Sequence, residues 1–183
     1  MILDVNPTRQ ELLRLKKRLQ LARKGHKLLK DKQDELVRNF LEIIEDTKKL
    51  RMQADREILS VYQSYSVAEG VLGGAVLEHL FAVPGAQTEL RSRTKTIMNL
   101  KVPRFEAETT GDPYDYGTAA SSVLVDRSVR RYGALLQTLL RLAELEKASM
   151  LLAEEIERTR RRVNALEYIL IPNITDTIRY ITM

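Results

Sequence analysis

The sequence contains no cysteine. Disulfides, iron–sulfur clusters and thiolate metal sites are therefore excluded, and such a chain suits a reducing cytosol. Tryptophan is also absent, and only 5% of residues are aromatic. Broad globular cores draw much of their buried area from aromatic rings, so the 44% of hydrophobic residues points to a thin seam. Only two histidines are present, His26 and His79, far apart in the chain, which leaves little for a histidine triad or metal site. There is no Gly-x-x-x-x-Gly-Lys-Ser/Thr loop, so the chain is not a P-loop ATPase by itself. No run approaches the roughly 18 apolar residues of a membrane span. The opening stretch, with Asp4 early, does not resemble a signal peptide. No catalytic residue, cofactor or metal, and no direct insertion into a membrane, is expected.

Proline and glycine are scarce at the ends and crowded in the middle. No proline lies between Thr8 and Val83 or between Tyr114 and Ile171, whereas Pro84, Pro103 and Pro113 and six of the eight glycines fall between Gly70 and Gly117. Two breaker-poor blocks thus flank a breaker-rich centre. With 30% charged residues, the blocks read as long helices. The first opens on Thr8 with Glu11 three residues later, a capping-box pattern. From there the spacing alternates three and four: Leu12, Leu15, Leu19, Ala22, His26, Leu29, Gln33, Leu36, Phe40, Ile43, Thr47, Leu50, Ala54. The last block repeats it: Leu135, Thr138, Leu142, Leu145, Ser149, Leu152, Ile156, Thr159, Val163, Leu166, Leu170. Beyond Leu170 the stripe moves by one residue to Ile174, Ile178 and Ile181, with Pro172 at the shift, where a kink is expected.

Sustained stripes of this kind are the mark of a coiled coil. Joined by roughly 50 residues, the two can pair only by folding back antiparallel, over a length on the order of 90 Å for about 60 residues per block. Facing residues then have numbers summing to roughly 193, which puts Arg14–Lys32 across from residues near 161–179 and both chain ends at one tip. The expected fold is all-α: a long antiparallel two-helix coiled coil, with helices over 1–72 and 120–183 and an insertion over 73–119, together one elongated domain. Across the boundary into the insertion, Ser66–Leu77 reads as a fraying helix end. Thr88–Thr94 and Ile97–Phe105 read as a short β-hairpin, and Thr109–Ala119 as a loop.

The net charge is +5, and Arg9–Lys32 concentrates ten basic residues against Glu11 and Asp31. Arg158, Arg160, Arg161 and Arg162 add a second basic run. A basic end calls for an acidic or phosphate-bearing partner. Nucleic acid fits poorly, because no aromatic residues interleave the arginines and Thr159 and Val163 carry the stripe through them. The acidic run Glu154, Glu155 and Glu157 reads as a solvated face pairing with those arginines, and His26 as a packed or partner-contacting seam residue.

Three segments carry a resemblance. NPTRQELLRLKKRLQLARKGHKLLKDKQDEL (residues 6–36), KVPRFEA (101–107) and RRVNALEYILIP (161–172), followed by Thr177 and Tyr180-Ile181, resemble the D subunit of the V-type/A-type (vacuolar and archaeal) ATP synthases. The last of these is the most specific. The resemblance implies the central-stalk rotor shaft of a rotary ATPase. Its paired helices would enter the bore of the ring of catalytic A and B subunits, with the F subunit along the coil and a socket subunit above the membrane rotor ring at the far end. It implies no catalytic role, coupling of ATP hydrolysis or synthesis to H⁺ or Na⁺ transport, and a cytoplasmic place in the soluble sector, peripheral to the membrane. Members usually continue past the Tyr-Ile near residue 180 with more charged helix. On this reading Arg14, Lys16, Lys17, Arg18, Arg23, Lys24, Arg160, Arg161 and Arg162 are candidate contacts to the ring bore. The Thr88–Phe105 segment, outside both stripes, is a candidate contact to the F subunit or a regulator of hydrolysis. A prefoldin-like chaperone, which also joins a long coil through a hairpin, is the alternative, though its coil tips should be apolar where this one is basic.

Overall fold

The computed structural model describes residues 6–97, 100–116 and 122–183. Helix α1 runs unbroken over Arg9–Leu72. Thr8 starts it: its hydroxyl accepts the Glu11 backbone N–H at 3.3 Å and its carbonyl accepts that of Leu12 at 3.0 Å. The helix ends at Gly73, whose N–H bonds the Glu69 carbonyl at 2.8 Å and whose φ of 84° disfavours any residue with a Cβ. A short helix α2, Gly74–Phe81, begins at once. The expected fraying over Ser66–Leu77 is therefore corrected: one glycine divides two ordered helices.

Strands β1, Ala86–Ile97, and β2, Leu100–Gly111, pair antiparallel, with Ala86 opposite Gly111 and Ile97 opposite Leu100. They are longer than the expected Thr88–Thr94 and Ile97–Phe105, and residues 95–96 pair where a polar break was expected. The ladder extends because polar cross-strand pairs support it. Thr88 and Thr109 hydroxyls meet at 3.1 Å, Arg91 reaches Glu108 at 2.8 Å and Arg93 reaches Glu106 at 3.2 Å. The link at residues 98–99 lies outside the described residues. At the open end, a Cβ on Gly111 would collide with the Gly85 carbonyl oxygen, so the strands can close only on glycine. Of the loop expected over Thr109–Ala119, Thr109–Gly111 belong to β2 and Asp112–Tyr116 form a turn held by the Asp115 N–H on the Asp112 carbonyl at 3.1 Å. Residues 117–119 lie outside the described residues.

Helix α3 spans Val123–Asn164, a π-helical turn covers Ala165–Leu170, and α4 spans Ile171–Thr182. The register shift read at Pro172 is thus met by the π-turn just before it. Pro172 has no N–H to donate, and the wider turn ends on a bond from the Ile171 N–H to the Leu166 carbonyl, five residues back.

The chain divides into two compact units, Met1–Leu41 with Leu151–Met183, and Glu42–Met150. In the first, Leu15, Ala22 and Leu36 of α1 are buried, as are Leu152, Thr159 and Val163 of α3 and Ile174 and Thr177 of α4. The remaining stripe positions there, such as Leu19, Leu29, Ile156 and Leu166, are half-buried. Antiparallel pairing shows in His26 Nε2 to Glu167 Oε2 at 3.2 Å and Lys32 Nζ to Glu155 Oε1 at 2.8 Å. The His26 pair meets the expected register; Lys32 reaches about six residues beyond it with its long side chain.

In the second unit the seam continues past Ala54 through small residues: Ser64, Ala68 and Ser128 are buried. Arg131 spans it, donating to the Ser60 carbonyl at 2.9 Å and the Ser64 hydroxyl at 2.6 Å. Ala68, Leu77, Leu80 and Val125 form an apolar cluster, with Leu72, Tyr116, Leu124 and Val129 packed on it. The Tyr116 hydroxyl donates to Asp126 Oδ1. Burial first, and that carboxylate second, push the phenol well above its ordinary pKa.

Candidate partner-contact surfaces

In the first unit the seam turns apolar side chains inward and leaves cations outside. Arg14, Lys16, Lys17, Arg18, Arg23 and Lys24 on α1, and Arg160, Arg161 and Arg162 on α3, are all exposed. Ion pairs of the exposed arginines here run along single helices, Arg14 to Glu11 at 3.6 Å, Arg158 to Glu154 at 3.7 Å and Arg161 to Glu157. Such exposed pairs contribute little. The two groups of cations do not sit face to face. His26 opposite Glu167 and Lys32 opposite Glu155 place Arg160–Arg162 alongside the stretch between His26 and Lys32. Arg14–Arg18 lie 8 to 12 residues further along α1, roughly 12–18 Å at helical rise. The result is a basic band, which spreads the like-charge repulsion and widens the surface open to an acidic partner.

Beneath this band the Lys32–Glu155 pair is partly buried, with side-chain exposures of 35% and 16%. The hydrogen bond from Lys32 lowers the Glu155 pKa from its ordinary value, against the opposing effect of burial. A depressed folded-state pKa stabilises the fold above the unfolded value, about 4.3, and that stabilisation is lost as pH falls through the folded value. Urea unfolding at pH 7 and pH 3.5 is expected to show a loss on acidification that shrinks in Glu155→Gln. An equal acid loss in both proteins would contradict the assignment.

In the second unit the hairpin presents two unlike sides. Residues 87–96 of β1 are exposed, while Ala86 and Ile97 at its ends are half-buried. On β2, Val102 is buried and Phe105, Glu106 and Ala107 are half-buried. The Phe105 backbone N–H donates to Glu144 Oε1. A groove of about 740 Å³ lies between β2 and the helices, lined among others by Ile43, Val102, Phe105, Leu140, Arg141 and Leu145. The candidate Thr88–Phe105 segment is thus anchored through the first two-thirds of β2 and exposed along β1, and its lack of a stripe did not mean lack of a seat. The anchor was not legible because a carboxylate on a backbone N–H leaves no periodic signal. Glu144→Ala is expected to speed amide exchange at Phe105 by about tenfold, the loss of one charge-assisted bond, with helical content unchanged. Unaltered exchange at Phe105 would show that Val102 burial alone holds the strand.

Among the described residues, no group of three or more His, Cys, Asp or Glu could hold a metal ion, and no helix is long and apolar enough to cross a membrane. Antiparallel helix pairs with a basic outer band and one docked hairpin define an α-helical coiled-coil protein. The chain belongs to the ATP synthase D-subunit family, whose model matches residues 11–183. It is 45% identical over 184 residues to the V-type ATP synthase D subunit of Thermoanaerobacter sp. (strain X514), covering 100% of this chain and 88% of that one. With the protein of the same name from Clostridioides difficile it shares 45% identity, over 99% of this chain and 83% of the relative. With that from Enterococcus faecalis the identity is 43%, over 99% and 88%.

Proposed function

We propose that this chain is the central-stalk rotor shaft of a V/A-type rotary ATPase, a non-catalytic subunit of the complex. The observation that carries the reading is the exposed basic band on the first unit's paired helices, within a chain of the D-subunit family. Residues 1–72 and 120–183 supply the shaft and 73–119 its insertion. The band faces the bore of the ring of catalytic A and B subunits, and the far end rests on the socket subunit above the membrane rotor ring. On α1 of the second unit, Met52, Leu59 and Tyr62 are 51%, 63% and 71% exposed. They make a second apolar line outside the seam, which suits an F subunit lying along the coil. The exposed β1 side of the hairpin is available to the F subunit or to regulation of hydrolysis.

The mechanism is one of differential binding. An asymmetric shaft presents unlike faces to three equivalent ring sites, so each site favours a different conformation and nucleotide affinity. Turning the shaft exchanges those preferences and couples ATP hydrolysis or synthesis to H⁺ or Na⁺ transport through the membrane rotor. Affinity capture of the full chain from cells, with mass spectrometry of the co-purifying chains, tests the assignment. Recovery of A, B and F subunits is expected. Their absence, with suppression of client aggregation by the isolated chain, would favour the chaperone reading.

A further inference from the structure

Seven residues make about two turns of an α-helix. Across Ala165–Leu170 two turns take one residue more, because a π-turn adds one to the ladder. On the inner face this keeps Leu166, half-buried, and Ile174, 0% exposed and eight residues on, both in the seam. On the outer face Tyr168 and Ile169 follow Arg160 and Arg161 by eight residues, at about 12 Å along the axis. Tyr168 and Ile169 are 70% and 60% exposed.

Single exposed apolar side chains are ordinary. Here two large ones stand side by side on a π-turn, a feature that recurs at functional sites, with exposed Arg160, Arg161 and Arg162 behind them. The turn is also fixed in place. Glu167 within it bonds His26 across the seam at 3.2 Å, and Pro172 follows immediately. Relaxing to α-helix would rotate Ile174 and Thr177, each 0% exposed, off the seam.

We propose that Tyr168 and Ile169 form a knob that enters an apolar pocket rimmed by carboxylates on the ring subunits, with Arg160–Arg162 meeting the rim. This deepens the shaft reading and rests on it. The charge of the neighbouring residues selects the occupant: an acidic rim complements three guanidinium groups, whereas a second copy of this chain would bring its own cations to the contact.

The test is titration of the full chain, bound to the F subunit, into purified A/B ring, with affinity measured at low and high salt. Tyr168→Ala with Ile169→Ala is expected to weaken ring binding by about tenfold, the scale for losing an aromatic anchor, at both salt concentrations. Tyr168→Phe with Ile169→Leu should restore it. Circular dichroism and binding of the F subunit should be unchanged, since both side chains are exposed. Ring affinity equal to wild type in the double alanine variant overturns the knob and leaves the shaft assignment standing. A wild-type chain that does not bind the ring overturns both, and loss of self-association with intact ring binding assigns the knob to a second copy instead.

Discussion

Replacing Arg14, Lys16, Lys17 and Arg18 together by glutamate is expected to weaken docking to the A/B ring by about a hundredfold at low salt. All four are exposed on the outer side of α1, where single charges contribute under ~1 kcal/mol each. Four acting together amount to about 3 kcal/mol, or roughly two decades in affinity. The effect should fade as ionic strength rises, because exposed charges are screened within about 10 Å at 0.1 M. Single reversals should be mild. Helical content should barely change, since none of the four lies in the seam and, among the described residues, their one ion pair, Arg14 with Glu11, is long at 3.6 Å. Reversing Arg160, Arg161 and Arg162 as well should weaken docking further if both parts of the band face the same bore. Docking and ATP-driven rotation that survive all of these reversals would remove the electrostatic component and leave shape as the basis of coupling.

Leu152→Ala is expected to lower the stability of the fold by about 2–4 kcal/mol, the cost of deleting buried methyl groups and leaving a partly filled cavity. Leu152 is 0% exposed, as is Leu36, so Leu36→Ala should behave alike. A seam between two helices has no deep reserve of other contacts to spread the loss. Thr159→Val should act in the opposite direction. Thr159 is 1% exposed, and its buried hydroxyl oxygen has no hydrogen-bond partner among the described residues. Removing an unsatisfied buried polar atom at nearly constant shape should stabilise by about 1 kcal/mol. Urea unfolding of the three variants separates the outcomes. A destabilised Thr159→Val would mean that the hydroxyl is used in a partner or register contact.

How far the fold was legible depended on the kind of signal each element leaves. Leu12 through Ala54 and Leu135 through Leu170 repeat every three or four residues, and every one of these positions is buried or half-buried. A helix in a coil repeats its environment at a fixed period, so the chain must repeat its chemistry in step. The seam beyond Ala54 left no such trace. Ser64, Ala68 and Ser128 are buried, but small and polar residues look the same in a seam as on a surface. The hairpin was legible as a hairpin and misjudged in length, since its outer pairs are Thr88 with Thr109 and Arg91 with Glu108. Those residues show no apolar alternation.

The candidate contact surfaces divide in the same way. The basic stretch of α1 and the arginine run near residue 160 were plain in the sequence, because charge is written residue by residue and a coil leaves most of its surface in water. That the two groups form a band followed from the antiparallel register of the stripes, and the pairing of His26 with Glu167 agrees with it. The reach of Lys32 to Glu155, about six residues off that register, showed only in the structure, as side-chain contacts between distant helices are a property of both. The one-residue shift near Pro172 could be read from spacing alone. The backbone's answer to it, a π-turn that keeps Ile174 inside and sends Tyr168 and Ile169 outward, was decided by packing. Only the tertiary seam penalises the alternative in which the helix stays regular and its apolar residues turn to solvent.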